Sequence, residues 1–284
     1  MISITTGIIS TGKAFRTSVW GYRYNRIMYE PVKSLGQNFL SKPSIVAPMV
    51  DALGIANGED IIEIGPGHGI LTEILLHRVS GRDVKVYSVE VDERFAKKLF
   101  GMYASEPTIE VVHEDILKWL PTFTSDRKVK VLGSLPYYIT SPILHSVVKM
   151  EVMPECAVFL IQKEVAEKVC SKAPDASYIS TFIQTFYDAE LLFNVPKTEF
   201  TPAPKVDGAV IKLTRTTVEM DRGTIEKYEG FLHRAFSHPR KMLNKPFSKE
   251  ELSKGGIDPK LRPQNLSPEE WLEFYKVLHS AASI

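Results

Sequence analysis

The segment that most restricts the fold is a short β-branched run, Asp60-Ile61-Ile62-Glu63-Ile64, broken by Gly65-Pro66-Gly67-His68-Gly69. Beyond the break Ile70, Leu71, Ile74 and Leu75 recur at helical spacing, so the segment reads as strand, glycine turn and helix. A strand feeding straight into a helix needs parallel partners, and the chain supplies them. Val84 to Val89 ends in Glu90 and is followed by Phe95, Leu99 and Met102 at helical spacing. Thr108 to Val112 ends near Glu114-Asp115, and Val129 to Leu132 runs through Gly133 into Ser134-Leu135-Pro136-Tyr137. Ser141 is placed to cap a helix that Pro142 starts. Cys156 to Ile161 then precedes a helix over Lys163 to Cys170. This alternation predicts an α/β fold with a mostly parallel sheet covered on both faces.

From Ala189 the rhythm changes. Leu191 to Val195 and Ala209 to Leu213 flank the proline-rich Phe200-Thr201-Pro202-Ala203-Pro204-Lys205 with no helix between them, which predicts an antiparallel pair at the sheet edge. After Thr217 the pattern is helical. Tyr228, Phe231, Leu232 and Ala235 share one face, and Ser267, Pro268 and Glu270 form a capping box ahead of Trp271 to Leu278. The expected division is an extension over 1–30, a sheet domain over 31–216 and a small helical domain over 217–284. A chain of 284 residues, 44% of them hydrophobic, is long enough for such a core. The first 27 residues carry Lys13, Arg16, Arg23 and Arg26 and no acid. A flexible extension, an organellar presequence and a basic RNA-touching arm all fit that composition. No apolar run approaches the roughly 20 residues of a membrane span, so no membrane partner is expected. Cys156 and Cys170 stand apart from each other and from any spaced His, so no metal is expected.

The residues that carry chemistry gather at strand ends. Gly65, Gly67 and Gly69 let a ligand approach the backbone, although the turn alone is also compatible with no ligand. The spacing lacks the full GxGxxG pattern, and Glu63 beside it would repel a pyrophosphate. Glu90 can accept both hydroxyls of a ribose, and Asp115 ends the third strand. A nucleoside bearing an amino acid and a cationic centre meets these demands together. S-adenosyl-L-methionine is such a molecule: backbone and Glu63 toward its methionine end, Glu90 at ribose, Asp115 at the adenine amino group. Ser134-Leu135-Pro136-Tyr137 then reads as the acceptor half, with acceptors around an exocyclic amine and Tyr137 or Tyr138 stacking on an extruded base. Net charge is only +1, so any nucleic-acid surface must be local. No acid occurs from Gly230 to Lys249, while Arg234, Arg240, Lys241 and Lys245 accumulate there, and Lys205 adds to the same expected track.

Taken together, Leu35-Gly36-Gln37-Asn38-Phe39-Leu40, Glu63-Ile64-Gly65-Pro66-Gly67, Leu135-Pro136-Tyr137, Phe200 to Asp207, and Ala235-Phe236-Ser237 with Arg240-Lys241 resemble the ribosomal RNA adenine dimethyltransferase family. The resemblance covers the chain from about Lys33. It implies a Rossmann-like methyltransferase sheet with a small helical domain. It also implies cofactor contacts at Asn38, Leu40, Gly65, Glu90 and Asp115, amine contacts at Ser134 and Leu135, and stacking by Tyr137. The implied reaction is N6,N6-dimethylation of two adjacent adenosines in the 3′-terminal hairpin of 16S rRNA. The expected partner is 16S rRNA within the small subunit or its precursor, and the expected setting is a monomer in the cytoplasm, or in an organelle if residues 1–27 are a presequence. Two alternatives remain at this point: the macrolide-resistance type, acting on a large-subunit adenine, and an assembly factor with weak catalysis. Ser134 stands where the family usually has Asn, which leaves one methyl transfer and two both open.

Overall fold

The computed structural model describes residues 30–32, 36–40 and 42–279. The expectations for residues 1–27, and Leu35 of the first motif, lie outside them. In chain order the elements are β1 (Phe39–Leu40), α1 (Pro43–Ala52), β2 (Glu59–Ile64), α2 (Ile70–Val79), β3 (Val84–Glu90), α3 (Glu93–Tyr103) and β4 (Ile109–His113). There follow α4 (Ile116–Trp119), β5 (Lys128–Ser134), α5 (Thr140–Val148), β6 (Cys156–Gln162), α6 (Lys163–Cys170) and α7 (Tyr178–Phe186). The chain closes with β7 (Tyr187–Val195), β8 (Phe200–Thr201), β9 (Gly208–Arg215), α8 (Arg222–Phe236), α9 (Lys249–Lys254) and α10 (Pro268–His279).

The main sheet runs β4-β3-β2-β5-β6-β9-β7. Its first five strands are parallel, and β9 pairs antiparallel with both β6 and β7. The expected parallel sheet with an antiparallel edge is therefore what the chain forms. Every residue of β2 is buried, because α1 to α3 cover one face and α4 to α7 the other. Two apolar clusters result, one on each face, and α8 and α10 extend the second by packing through Tyr228, Phe231, Trp271 and Phe274. The Ser267 capping box forms as expected, with Glu270 accepting from the Ser267 amide at 2.7 Å.

One local expectation needs correction, and one helix was not anticipated. Ser141 does not cap α5: a 3-10 turn over Tyr137–Ile139 leads into the helix at Thr140. The Thr140 hydroxyl donates to the Pro136 carbonyl at 3.2 Å, so the turn that the Pro-Tyr pair imposes starts the helix early. The whole helix α7 also goes unread in the sequence. Its Ile179, Phe182, Ile183 and Phe186 have helical spacing but sit among serines and threonines, which lower helix propensity; the Ser177–Ser180 capping box offsets that.

Candidate active site

Sheet register places the site. Ile64 of β2 stands opposite Val89 of β3 and Gly133 of β5, so the next residues, Gly65, Glu90 and Ser134, leave the sheet at one level. Strand order also changes direction between β2 and β5, and open α/β sheets bind ligands outside the carboxyl ends at such a point. A cavity of about 300 Å³ opens there. Its walls include Asn38, Leu40, Gly65, Gly67, Glu90, Asp115, Ser134, Leu135, Pro136 and Tyr137. Segments far apart in sequence thus meet around one space.

The side of this cavity formed by β2 and β3 is tied down by hydrogen bonds. Glu90 is 5% exposed, and its two oxygens accept from the Gly67 amide at 2.9 Å and the Asp92 amide at 2.8 Å. Burial raises its pKa, against those amides. Each oxygen keeps lone-pair capacity toward the cavity. Gly67 has φ +53°, and a Cβ there would stand 3.0 Å from the Phe39 ring, so both conformation and space require glycine. Asp115 caps α4 by accepting from the Leu117 amide at 2.9 Å, leaving its second oxygen free of protein partners among the described residues. Asn38 donates to the Gly36 carbonyl, and Leu40 pairs with Phe200 in the β1–β8 ladder. That ladder brings Phe200, the first residue of the Phe200–Asp207 motif, to the cavity wall.

Ser134 ends β5 opposite Leu160, and its carbonyl lies 4.0 Å from the position a Cβ on Gly65 would take. The acceptor motif and the glycine turn are therefore neighbours. Leu135 is buried and its amide is held by the Leu160 carbonyl at 2.9 Å, which fixes the turn that follows. Tyr137 is half-buried on the cavity wall. Its hydroxyl is enclosed without a hydrogen-bond partner, and burial, with the charge of Asp207 adding, pushes its pKa up to about 12.

The ribosomal RNA adenine dimethylase family matches residues 30–280. The chain belongs to this family. A ribosomal RNA small subunit methyltransferase A from Sulfurihydrogenibium sp. (strain YO3AOP1) is 34% identical over 257 residues, covering 88% of this chain and 97% of that protein. The protein of the same name from Enterococcus faecalis is 35% identical over 268 residues, covering 87% and 90%. Among solved structures, the 23S rRNA methyltransferase ErmE superposes with a TM-score of 0.67 at 26% identity, over 85% of this chain and 99% of that one. A dimethyladenosine transferase from Plasmodium falciparum gives 0.70 at 22% identity over 86% and 98%, and shows the shared fold. Family and fold imply S-adenosyl-L-methionine as methyl donor, and the cavity fits it. The exposed Gly65, whose amide is held by the Val89 carbonyl at 3.0 Å, lets a ligand lie against the glycine turn, and the spare lone pairs of Glu90 and the second Asp115 oxygen are polar groups of the kind that a ribose and an adenine amine require.

Measured against the site residues expected of a dimethylase, two positions differ. Glu63, expected at the methionine end, is not on the cavity wall. Strand alternation turns it toward α2, where Thr72 donates to both its oxygens at 2.9 and 2.8 Å and Ser88 donates at 2.6 Å. It is fully buried, and burial foremost, with the Glu90 charge adding, pushes its carboxyl up to about 7. Arg234, expected on the RNA track, is forked onto Glu251 at 2.8 and 2.9 Å and lies 4.5 Å over the Phe247 ring. It locks α8 to the start of α9. Arg240, Lys241, Lys245 and Lys205 are exposed and remain available to an RNA.

Other residues of the site escaped the sequence reading. Asp92 caps α3, accepts from Gln37 at 2.8 Å and is held at a pKa of about 2, mainly by Arg94, so it ties the first motif to the end of β3. Its place two residues after Glu90, at a helix start, is the signal that could have found it. His68, within the glycine turn, sits half-buried with its ring 4.4 Å from Phe39 and 4.8 Å from Phe95.

Proposed function

We propose that this protein dimethylates two adjacent adenosines at N6 in the 3′-terminal hairpin of 16S rRNA, acting as a cytoplasmic monomer on the small subunit or its precursor. The observation that carries the reading is the convergence of Gly65, Glu90, Asp115 and Ser134 to Tyr137 on one cavity at the sheet's switch point. Relatives named for the small subunit, at 34 to 35% identity, favour that substrate over the large-subunit one. S-adenosylmethionine supplies an electrophilic methyl group when bound. Glu90 holds the ribose hydroxyls and Asp115 accepts from the cofactor's adenine amine. Tyr137 stacks on the target base. The Ser134 hydroxyl and the Leu135 carbonyl accept from the target amine, whose lone pair is otherwise delocalised into its ring. Positioning and charge stabilisation are then the main sources of rate. Residues 217–284 form the RNA-docking part, with Arg240, Lys241 and Lys245 meeting phosphates and Lys205 extending the track from the cavity loop.

The test is mass spectrometry of 16S rRNA from a strain lacking this gene, restored with the wild type or with Ser134→Asn. Dimethylation of both adenines by the wild type is expected. Restored strains whose adenines stay unmethylated, while the protein still binds small subunits, would leave the assembly-factor reading standing in its place. A shift from single to double methylation in Ser134→Asn would assign the number of transfers to that side chain.

A further inference from the structure

The Tyr137–Ile139 turn is a 3-10 helix, in which consecutive side chains point about 120° apart. Its two tyrosines accordingly face different surroundings. Tyr137 is half-buried in the cavity wall with its hydroxyl enclosed. Tyr138 stands at the cavity mouth and is 57% exposed, among the most exposed large apolar side chains described. It is not loose there. Its ring rests on Gly36, whose φ is +58°; a Cβ at Gly36 would lie 2.9 Å from Cδ1 and 3.1 Å from Cε1 of the ring, and 3.8 Å from the β-carbon of Pro136. Bare backbone at Gly36 thus makes a seat for Tyr138, and any other residue at that position would push the ring away.

An extruded base leaves its neighbour in the strand with one face unstacked, which opposes extrusion. An aromatic ring fixed beside the cavity into which the base goes is suited to cover that face. We propose that Tyr138 is the stacking platform for the nucleotide next to the target adenine, while Tyr137 takes the target itself. The proposal rests on the reading above, in which an RNA adenine enters the cavity. Stacking is indifferent to which base presents its face, so one platform serves whichever of two adjacent adenines is inside. Tyr138 is a positioning residue: it holds the strand and touches no reacting atom.

The experiment compares wild type with Tyr138→Ala, Tyr138→Leu and Tyr138→Phe on immature small subunits, with cofactor affinity measured by calorimetry as a check on folding. Tyr138→Ala should raise KM for the RNA about 5- to 160-fold, the span of one base–aromatic stack, with kcat and cofactor affinity within about twofold of wild type. Tyr138→Leu, which keeps an apolar contact on Gly36 but has no ring, should behave like Ala. Tyr138→Phe should behave like wild type. Methylation by wild type with an unchanged KM in Tyr138→Ala, or rescue by Leu as complete as by Phe, would overturn the platform alone. A wild type that binds cofactor and transfers no methyl to RNA would overturn the adenine reading and the platform with it.

Discussion

The two halves of the cavity are built differently. On the side of β2 and β3 nearly every polar group is committed: Glu90 to two backbone amides, Glu63 to Thr72 and Ser88, Asp92 to Gln37 and Arg94. On the side of β5 the groups are left open: the Tyr137 hydroxyl is enclosed without a partner and the Tyr138 ring is exposed. The difference suits the occupants proposed for each half. A small cofactor of fixed shape rewards a wall whose side chains are already oriented, since ordering costs are met on folding. A base drawn from an RNA strand must enter and leave, and its partners are completed only when it arrives.

The comparison is most sharply broken at Glu90. Glu90→Ala leaves the Gly67 and Asp92 amides without their acceptor, at about 1–3 kcal/mol each, besides losing the proposed ribose contact. Cofactor affinity by calorimetry should fall about 100-fold or more, and an affinity within about threefold of wild type would remove Glu90 from the site.

Next comes Glu63, whose burial is a cost carried by the cofactor half. Its folded pKa, about 7, lies above the ordinary 4.5, so the protonated form is the one folding favours. The stability it contributes is fully present below about pH 4.5 and is lost as pH rises through about 7, a swing of about 3 kcal/mol. Thermal melts should therefore show wild type losing stability across that window, and Glu63→Gln, which cannot ionise, should flatten the loss. Parallel profiles for the two proteins would show that Glu63 is ionised at no such cost.

The smallest effects separate docking from scaffolding in the helical region. Replacing Arg240 and Lys241 with Ala should reduce the slope of log affinity against log salt by about 1.4, near 0.7 for each lost phosphate contact, with melting unchanged. Arg234→Ala should do the reverse. It should lower the melting temperature through the lost Glu251 fork and leave the salt slope alone, because that guanidinium is already engaged. A salt slope that responds to Arg234 and ignores the other two would move the RNA track onto α8.

Much of the fold could be read from residues alone. Each parallel strand carried a β-branched run, each ended at a polar or glycine break, and the helices between had apolar residues at helical spacing; these are local signals of period and propensity. Helix α7 was missed because its apolar residues are interleaved with serines and threonines whose capping role shows only in three dimensions. The site was legible to the extent that its residues terminate strands. Glu90 and Ser134 end strands, Asp115 follows the end of β4 by two residues as the cap of α4, and all three line the cavity.

The sequence by itself thus determined the element types, the parallel sheet with its antiparallel edge, and the glycine turn and Leu-Pro-Tyr motif that bring the chain into a dimethylase family. Only the tertiary structure decided which of the named side chains reach the cavity. Strand alternation turned Glu63 inward to α2, and the packing of α8 against α9 took Arg234. A short turn sent Tyr137 in and Tyr138 out, with the Gly36 backbone holding the second ring in place. The physical reason is the same each time. Composition and spacing specify what a segment can form, but a side chain's partners are set by neighbours distant in sequence, and these become neighbours only when the sheet registers and its helices pack.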